Sequence, residues 1–432
     1  MAKHLFSNWA GNVRFEHEAI HYPKSEAEIV ELVKEAGKAG KRIRLMGATH
    51  SWSALIECPD WLVSLDKYKQ ILNIDKEKLQ VTVKAGIRLK DLNLLLRKEG
   101  LALTNLGTIA EQSIAGAIAT GTHGSGINYG NISTQIIGCR LLTANGDVLN
   151  INEKENANLL PAVRVSLGAL GIISTVTVQC VKAFNLREES YPVSIEKALE
   201  LIESENASVD HFKFWWFPHG KKAQLYRWFR TKEALKPKAK WLKKLEDEFL
   251  PSSFFAGLLR LGSRFPKMIP SINRFAASLH FKKINRVEVS YDIFAMTVPP
   301  KHRECEYAIP LEYAKEAMTA YLEMLREKGF LVNFIVEVRF VKGDDIWLSP
   351  AYGRDTCYIA AYNQSEYRWE EFVIAFEELM AKYQGRPHWG KEFFISPEKL
   401  KQLYPKWDDF IKLMRELDPN GMFQNKLLQK IF

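Results

Sequence analysis

The chain has 432 residues, too many for one ordinary hydrophobic core, so two domains are expected. Its composition, 47% hydrophobic and 26% charged, is that of a soluble globular protein and excludes disordered and collagen-like classes. The net charge of +9 invites a nucleic-acid or anionic-membrane reading, but the basic residues are spread along the chain. The densest run, Lys232 to Lys244 with Lys236, Lys238, Lys240 and Lys243, reads as a solvated helical face, and no nucleic-acid partner is expected. Cys58, Cys139, Cys180, Cys305 and Cys357 form no CxxC pair, and an odd number argues against a complete disulfide framework. They read as reduced thiols in a cytoplasmic protein. Met1 to Asn12 lacks the apolar region of a secretory signal, and no stretch of about 18 apolar residues predicts a spanning helix.

The first 180 residues alternate short strands with helices, which predicts a layered α+β or α/β domain. Ser25-Glu26-Ala27-Glu28 reads as a capping box, followed by Ile29, Leu32, Val33 and Ala36 at helical spacing. Arg42 to Met46 reads as a strand ended by Gly47, and Leu79 to Ala85 as a second one. Asp91 to Lys98 reads as a helix, and the β-branched run Ile172 to Val181 closes the domain. From 183 to 385, long strands are predicted over Arg286 to Thr297 and Leu331 to Phe340, with amphipathic helices around 311–328 and 369–383. The segment 249–281 is apolar, with Phe254, Phe255, Leu258, Leu259, Leu261, Phe265, Met268 and Ile269. Pro251, Pro266 and Pro270 break it, as do Arg260, Arg264, Lys267 and Arg274. It reads as a buried or flexible cap insertion in a soluble protein, with contact at a membrane interface as the lesser reading.

Two glycine-containing loops stand out. Arg44 to Ser51 contains Gly47-Ala48-Thr49-His50 directly after a strand, and Ser113 to Gly126 contains Gly116, Gly121, His123 and Gly124. Neither is the GxGxxG of the usual dinucleotide fold, but small residues let backbone N–H groups approach an anion such as a pyrophosphate.

At these loops the sequence resembles the FAD domain of the vanillyl-alcohol oxidase and p-cresol methylhydroxylase (PCMH) superfamily, and more closely the aldonolactone oxidases. The resemblance runs through Asn8-Trp9-Ala10, Gly47 to Ser51, Ser64-Leu65-Asp66-Lys67, Asp75 to Lys78 and Asn105-Leu106-Gly107-Thr108. It continues through Gly121-Thr122-His123, Trp216 to His219, Glu337-Val338-Arg339-Phe340, Gly343 to Ile346, Arg386 to Lys391 and Asp418 to Phe423. It implies an α+β fold with a PCMH-type FAD-binding domain over 1–182, a substrate-binding cap domain over 183–385, and a C-terminal segment, 386–432, returning to the FAD domain. It also implies FAD attached covalently to His50, cradled by Leu45, Met46, Gly47, Ala48, Thr49 and Ser51, and by Ser113, Gly116, Ile118, Thr120, Gly121, Gly124 and Ile172. His123 either touches FAD or braces its loop. Gly107 either opens the flavin face to oxygen, as in oxidases, or satisfies a turn with positive φ. No metal is expected.

For the substrate side, period two places Ile335, Glu337 and Arg339 on one strand face, and Val332, Phe334, Val336, Val338 and Phe340 on the other. The resemblance makes Glu337 and Arg339 the pair that binds substrate hydroxyls over the flavin, with Ser113 assisting and Lys391 and Arg339 supplying positive charge. Related alditol oxidases carry a histidine on the strand matching Thr356 to Tyr362, and this chain has none, which leaves Glu337 favoured as general base, with His388 or solvent as alternatives. The implied reaction takes a hydride from C2 of an L-gulono- or L-galactono-1,4-lactone to flavin N5, reduces O2 to H2O2, and yields ascorbate or an analogue. An alditol oxidase and a lactone dehydrogenase are the alternatives.

Overall fold

In the computed structural model, residues 3–236, 249 and 252–432 are described; Lys238, Lys240, Lys243, Lys244 and Pro251 lie outside the described residues. The first long helix, Glu26–Ala39, starts where predicted: Ser25 Oγ accepts from Glu28 N, while the Glu28 carboxylate reaches back to Lys24 N at 2.8 Å. Gly40, at φ 62°, ends it. The helix buries Ile29, Leu32, Val33 and Ala36 beside a parallel sheet ordered Ala19–His21, Trp61–Ser64, Ile43–Met46. The same core continues under a five-stranded antiparallel sheet ordered Val148–Asn152, Ile136–Leu142, Ile172–Gln179, Gln80–Lys84, Ile71–Asp75.

The later chain builds an eight-stranded antiparallel sheet, ordered Ile284–Val289, Asn185–Ser194, Lys222–Thr231, His211–Trp216, Val336–Val341, Thr356–Asn363, Arg303–Pro310, Arg386–Pro387. The helices Ala314–Lys328 and Trp369–Ala381 cover one face of it, and Phe212, Phe214, Val338, Phe340, Cys305 and Tyr307 point into that second core. Two predicted strands are shorter than expected. Arg286 to Thr297 stops at Val289, because its partner begins at Asn185, and a helix Ser290–Phe294 follows. Leu331 to Phe340 pairs only from Val336, so Phe334 leaves the alternation and joins Ile335 on the cavity side. All five cysteines are buried and unpaired. Among the described residues no helix is long and apolar enough to cross a membrane.

The C-terminal helices Pro397–Leu403, Trp407–Leu417 and Lys426–Ile431 return to the first core with Leu400, Tyr404, Phe410 and Leu428. Arg44 ties this return down. Its buried guanidinium donates to the carbonyls of Leu55 (2.7 Å), Gly168 (2.9 Å), Leu167 (2.7 Å) and Phe423 (2.7 Å). Asp418 accepts from Met422 N and Phe423 N and shapes the turn that presents the last of these. Arg44→Met strips four buried carbonyls of their donor and is expected to cost about 3 kcal/mol or more. A urea titration of the holoprotein should show the lowered midpoint; an unchanged midpoint would remove Arg44 from this role.

Candidate active site

Strand Ile43–Met46 feeds the loop Gly47 to Ser51, with Thr49 at φ 60°. Its carbonyls are anchored: Thr49 O accepts from Trp9 N at 3.0 Å and Ser51 O from Asn8 Nδ2 at 2.9 Å. Among the described residues, the N–H groups of Ala48, Thr49, His50 and Ser51 make no hydrogen bond within the protein. Successive free amides along a cavity wall form an anion cradle. The helix Ile114–Ala119 faces them, with Ser113 Oγ accepting from Gly116 N at 3.3 Å. A Cβ on Gly47 would lie 2.8 Å from Ser113 Oγ, so glycine keeps these walls open. The cavity, with an empty volume of about 1100 Å³, is also walled by Gly86, Ser166, Gly168, Gly171 and Ile173.

A second cavity of about 870 Å³ continues the first, and His50, Ser51, Gln112 and Thr120 line both. His50 packs against Trp9 at 5.1 Å between ring centroids, and burial pushes its imidazole down to about 4, so it is neutral at ordinary pH. The return of the C-terminal segment supports this loop: Trp52 N donates to Gly390 O at 2.7 Å and Ser53 Oγ to Trp389 O at 2.6 Å.

The far wall is the free face of the large sheet. One row across its strands reads Trp215, Glu337, Ala360, Glu306, and the next Lys213, Arg339, Tyr358, Ala308. Glu337 Oε1 accepts from Lys213 Nζ and Trp215 Nε1, both at 2.8 Å, and Oε2 from Tyr362 OH at 2.8 Å, with Arg339 Nε at 3.5 Å. Arg339 also donates to Glu306 Oε1 at 2.6 Å and to His123 O at 3.1 Å. Lys391 pairs with Glu304 and lies over the Trp52 ring. Burial pushes the Glu337 carboxyl up, but Arg339 and Lys213 outweigh it and hold it far below the usual carboxylate range. Glu306 is held well down in the same way by Arg339 and His123.

These contacts sort the predicted residues. Leu45 to Ser51, Ser113, Gly116 and Thr120 line the first cavity; Gly107, His123, Glu337, Arg339, His388 and Lys391 line the second. Four predicted cofactor residues line neither. Ile172 points to the opposite strand face from Gly171 and Ile173, and Ile118 is buried in the core. Gly121 serves a turn at φ 71°, and a Cβ on Gly124 would strike Asn105 Oδ1 and Leu106 O at 2.3 Å. Ser113, expected to hydrogen-bond substrate, flavin or both, lines the first cavity and not the second. Glu337, expected as base, accepts three hydrogen bonds, pairs with Arg339 at 3.5 Å and has a strongly depressed affinity for protons. His388 accepts from Gly390 N on Nδ1 at 3.1 Å, so its neutral ring carries the proton on Nε2 and is a donor there. Gly107 has no positive φ; a Cβ there would meet Thr122 Cγ2 at 2.9 Å, so the glycine answers to space at the cavity wall.

Glu304, Glu306, Lys213 and Trp215 escaped the sequence reading. Each alternates with core residues along its strand, the signal that revealed Glu337 and Arg339, and none of the four lies within a motif that carries the resemblance. His123, Glu306 and His388 bring potential metal ligands within 4.8 Å of one another. Arg339 already holds Glu306 there, and its guanidinium would repel a metal ion.

The family described as D-arabinono-1,4-lactone oxidase matches residues 176–431, and an FAD-binding domain family matches residues 17–152. The chain is 36% identical to an L-gulono-1,4-lactone dehydrogenase of Mycobacterium tuberculosis over 99% of both proteins. It is 35% identical to the L-gulonolactone oxidase of Mus musculus, covering 99% of this chain and 98% of that one. Among solved structures, a solvent-stable cholesterol oxidase superposes with a TM-score of 0.84 at 19% identity, covering 99% of this chain and 97% of that chain, which shows a shared α+β fold. With free amides and glycine-opened walls to receive a dinucleotide, the chain belongs to the aldonolactone oxidase and dehydrogenase family of FAD-binding oxidoreductases.

Proposed function

We propose that this protein oxidises an L-gulono- or L-galactono-1,4-lactone at C2, passes electrons to O2 with formation of H2O2, and yields ascorbate or an analogue. In this reading residues 1–182 hold FAD, covalently through His50, residues 183–385 bind the lactone, and 386–432 complete the site. The observation that carries it is the set of buried acceptors on the second cavity's wall: Glu304 Oε1 and Glu306 Oε2 have no partner among the described residues, as a polyhydroxylated ligand would require. FAD, when bound, supplies the hydride acceptor at N5. The free amides of Ala48 to Ser51 would hold its pyrophosphate, and the neutral His50 would carry the covalent attachment.

The protein's own part in the chemistry is to place the lactone and take the hydroxyl proton. His123 Nδ1 faces the Gly124 carbonyl at 3.0 Å and so carries the ring proton, leaving Nε2 as a lone pair 3.2 Å from Glu306 Oε1. Two acceptors face each other there, and a proton arriving from the substrate turns that contact into a charge-assisted hydrogen bond. We therefore assign the proton to the His123–Glu306 pair in place of Glu337. Arg339 and Lys391 supply the positive charge that favours electron transfer into the site. Gly107 leaves the wall open to oxygen.

The deciding experiment adds L-gulono-1,4-lactone to the flavoprotein without oxygen and then admits air. Loss of flavin absorbance, its return in air and one peroxide per turnover are expected; return only with an added dye would overturn the oxidase reading, and no loss at all the lactone reading. His50→Ala should release its flavin into the supernatant on acid precipitation, while the parent keeps it in the pellet. His123→Gln should lower the rate of flavin reduction by about 10²–10⁴. Burial, then Arg339, hold the His123 imidazole below its ordinary value, so the parent's kcat/KM should be flat at neutral pH and fall only in acid as the pair takes up a proton. The same acid-side inflection surviving in His123→Gln would assign the proton elsewhere.

A further inference from the structure

The strand Arg303–Pro310 sets three side chains along the second cavity at alternate positions: Glu306, Glu304 and, one residue before the strand begins, His302. Cys305, between the two carboxylates, points the other way into the second hydrophobic core. Glu306 belongs to the pair assigned above to the proton, and the outer two have no part in that step. Glu304 gives Oε2 to Lys391, while its buried Oε1 has no partner among the described residues. His302 Nδ1 faces the Pro300 carbonyl at 2.7 Å and so carries the proton of the neutral ring, which leaves Nε2 as a lone pair. That nitrogen is also buried without a partner among the described residues, 3.9 Å from Glu304 Oε2.

Two neighbouring buried acceptors require donors from a ligand. Lys391 already neutralises Glu304, so the fitting donors are uncharged hydroxyls and not a cation. The His302 ring is also held in place. Trp9, Trp52, Phe334 and Tyr362 surround it at 5.0 to 5.4 Å between ring centroids, and Trp52 Nε1 donates to its carbonyl at 2.7 Å. An acceptor fixed before its ligand arrives loses little freedom on binding. Glu306, Glu304 and His302 run outward in that order, and a six-carbon 1,4-lactone carries its hydroxyls in a matching order. The C2 hydroxyl is on the ring, followed by the C5 and C6 hydroxyls of the chain on C4. With the C2 hydroxyl at His123 and Glu306, the adjacent exocyclic hydroxyls reach Glu304 and then His302. A five-carbon lactone has one exocyclic hydroxyl and leaves one acceptor buried and unfilled.

We propose, resting on the lactone reading above, that His302 and Glu304 form the subsite for the exocyclic diol and make the protein select six-carbon 1,4-lactones with a terminal hydroxyl. The test follows anaerobic reduction of the flavoprotein by L-gulono-1,4-lactone and by its 6-deoxy analogue, which lacks one oxygen. A range of concentrations gives a Kd and a limiting rate for each. The parent should bind the analogue at least about tenfold more weakly. His302→Phe keeps a ring among the aromatic neighbours and removes the acceptor. It should bring the two Kd values within about threefold of each other, with the loss falling on the Kd for L-gulono-1,4-lactone more than on its limiting rate. Should that variant fail to fold, His302→Met, whose flexible side chain packs more adaptably, tests the same loss. Equal Kd values in the parent, or the full preference retained in a folded variant, would overturn the subsite and leave lactone oxidation standing. No reduction by either lactone would overturn both.

Discussion

Five charged side chains line one wall of the second cavity, with Lys213 buried beside them, and each meets an opposite charge there. Lys213, Arg339 and Lys391 supply the cations; Glu337, Glu306 and Glu304 supply the anions. Removing one member would leave its partner charged, buried and unpaired, which costs far more than a surface ion pair contributes. The network therefore constrains much of the molecule. The register of four adjacent strands must bring Trp215, Glu337, Ala360 and Glu306 into one row, with Ala360 the smallest member between two carboxylates. The same register turns the intervening residues into the second hydrophobic core.

This division of the sheet explains why the reaction chamber can be highly charged inside an otherwise apolar body. One face is sealed by helices and stabilised by burial, while the other keeps buried acceptors that have no partner among the described residues. Opposite stands the His50 loop, whose conformation depends on sequence-distant neighbours: Asn8 and Trp9 on one side and Trp389 and Gly390 on the other. The C-terminal return, locked by Arg44, thus links the stability of the first core to the geometry of the chamber.

The apolar segment read as a cap insertion folds into two helices, Ser253–Arg264 and Ile269–His280, at the outer edge of the same arrangement. Its inner side touches Phe334, a wall of the chamber, and its outer side carries rings and cations together. Reading its composition as a whole hides this, because an average over the helix mixes two faces that meet different surroundings.

Local patterns in the sequence determined a good deal. The capped helix after Ser25 and the Gly47 to Ser51 loop were legible because each depends on neighbouring residues: a side-chain cap in one case, small residues with free amides in the other. The placement of Glu337 and Arg339 on one strand face followed from period two, and the resemblance to aldonolactone oxidases rested on motifs spread over the whole chain. The tertiary structure alone decided which of these residues meet. It tied Glu337 to Lys213, Trp215 and Tyr362, set His123 against Glu306, turned Ile172 away from the cavity and placed Glu304 and Lys391 together. Strand pairing between segments far apart in the chain governs all four outcomes, and such pairing depends on register and on the neutralisation of buried charge, neither of which a local pattern contains.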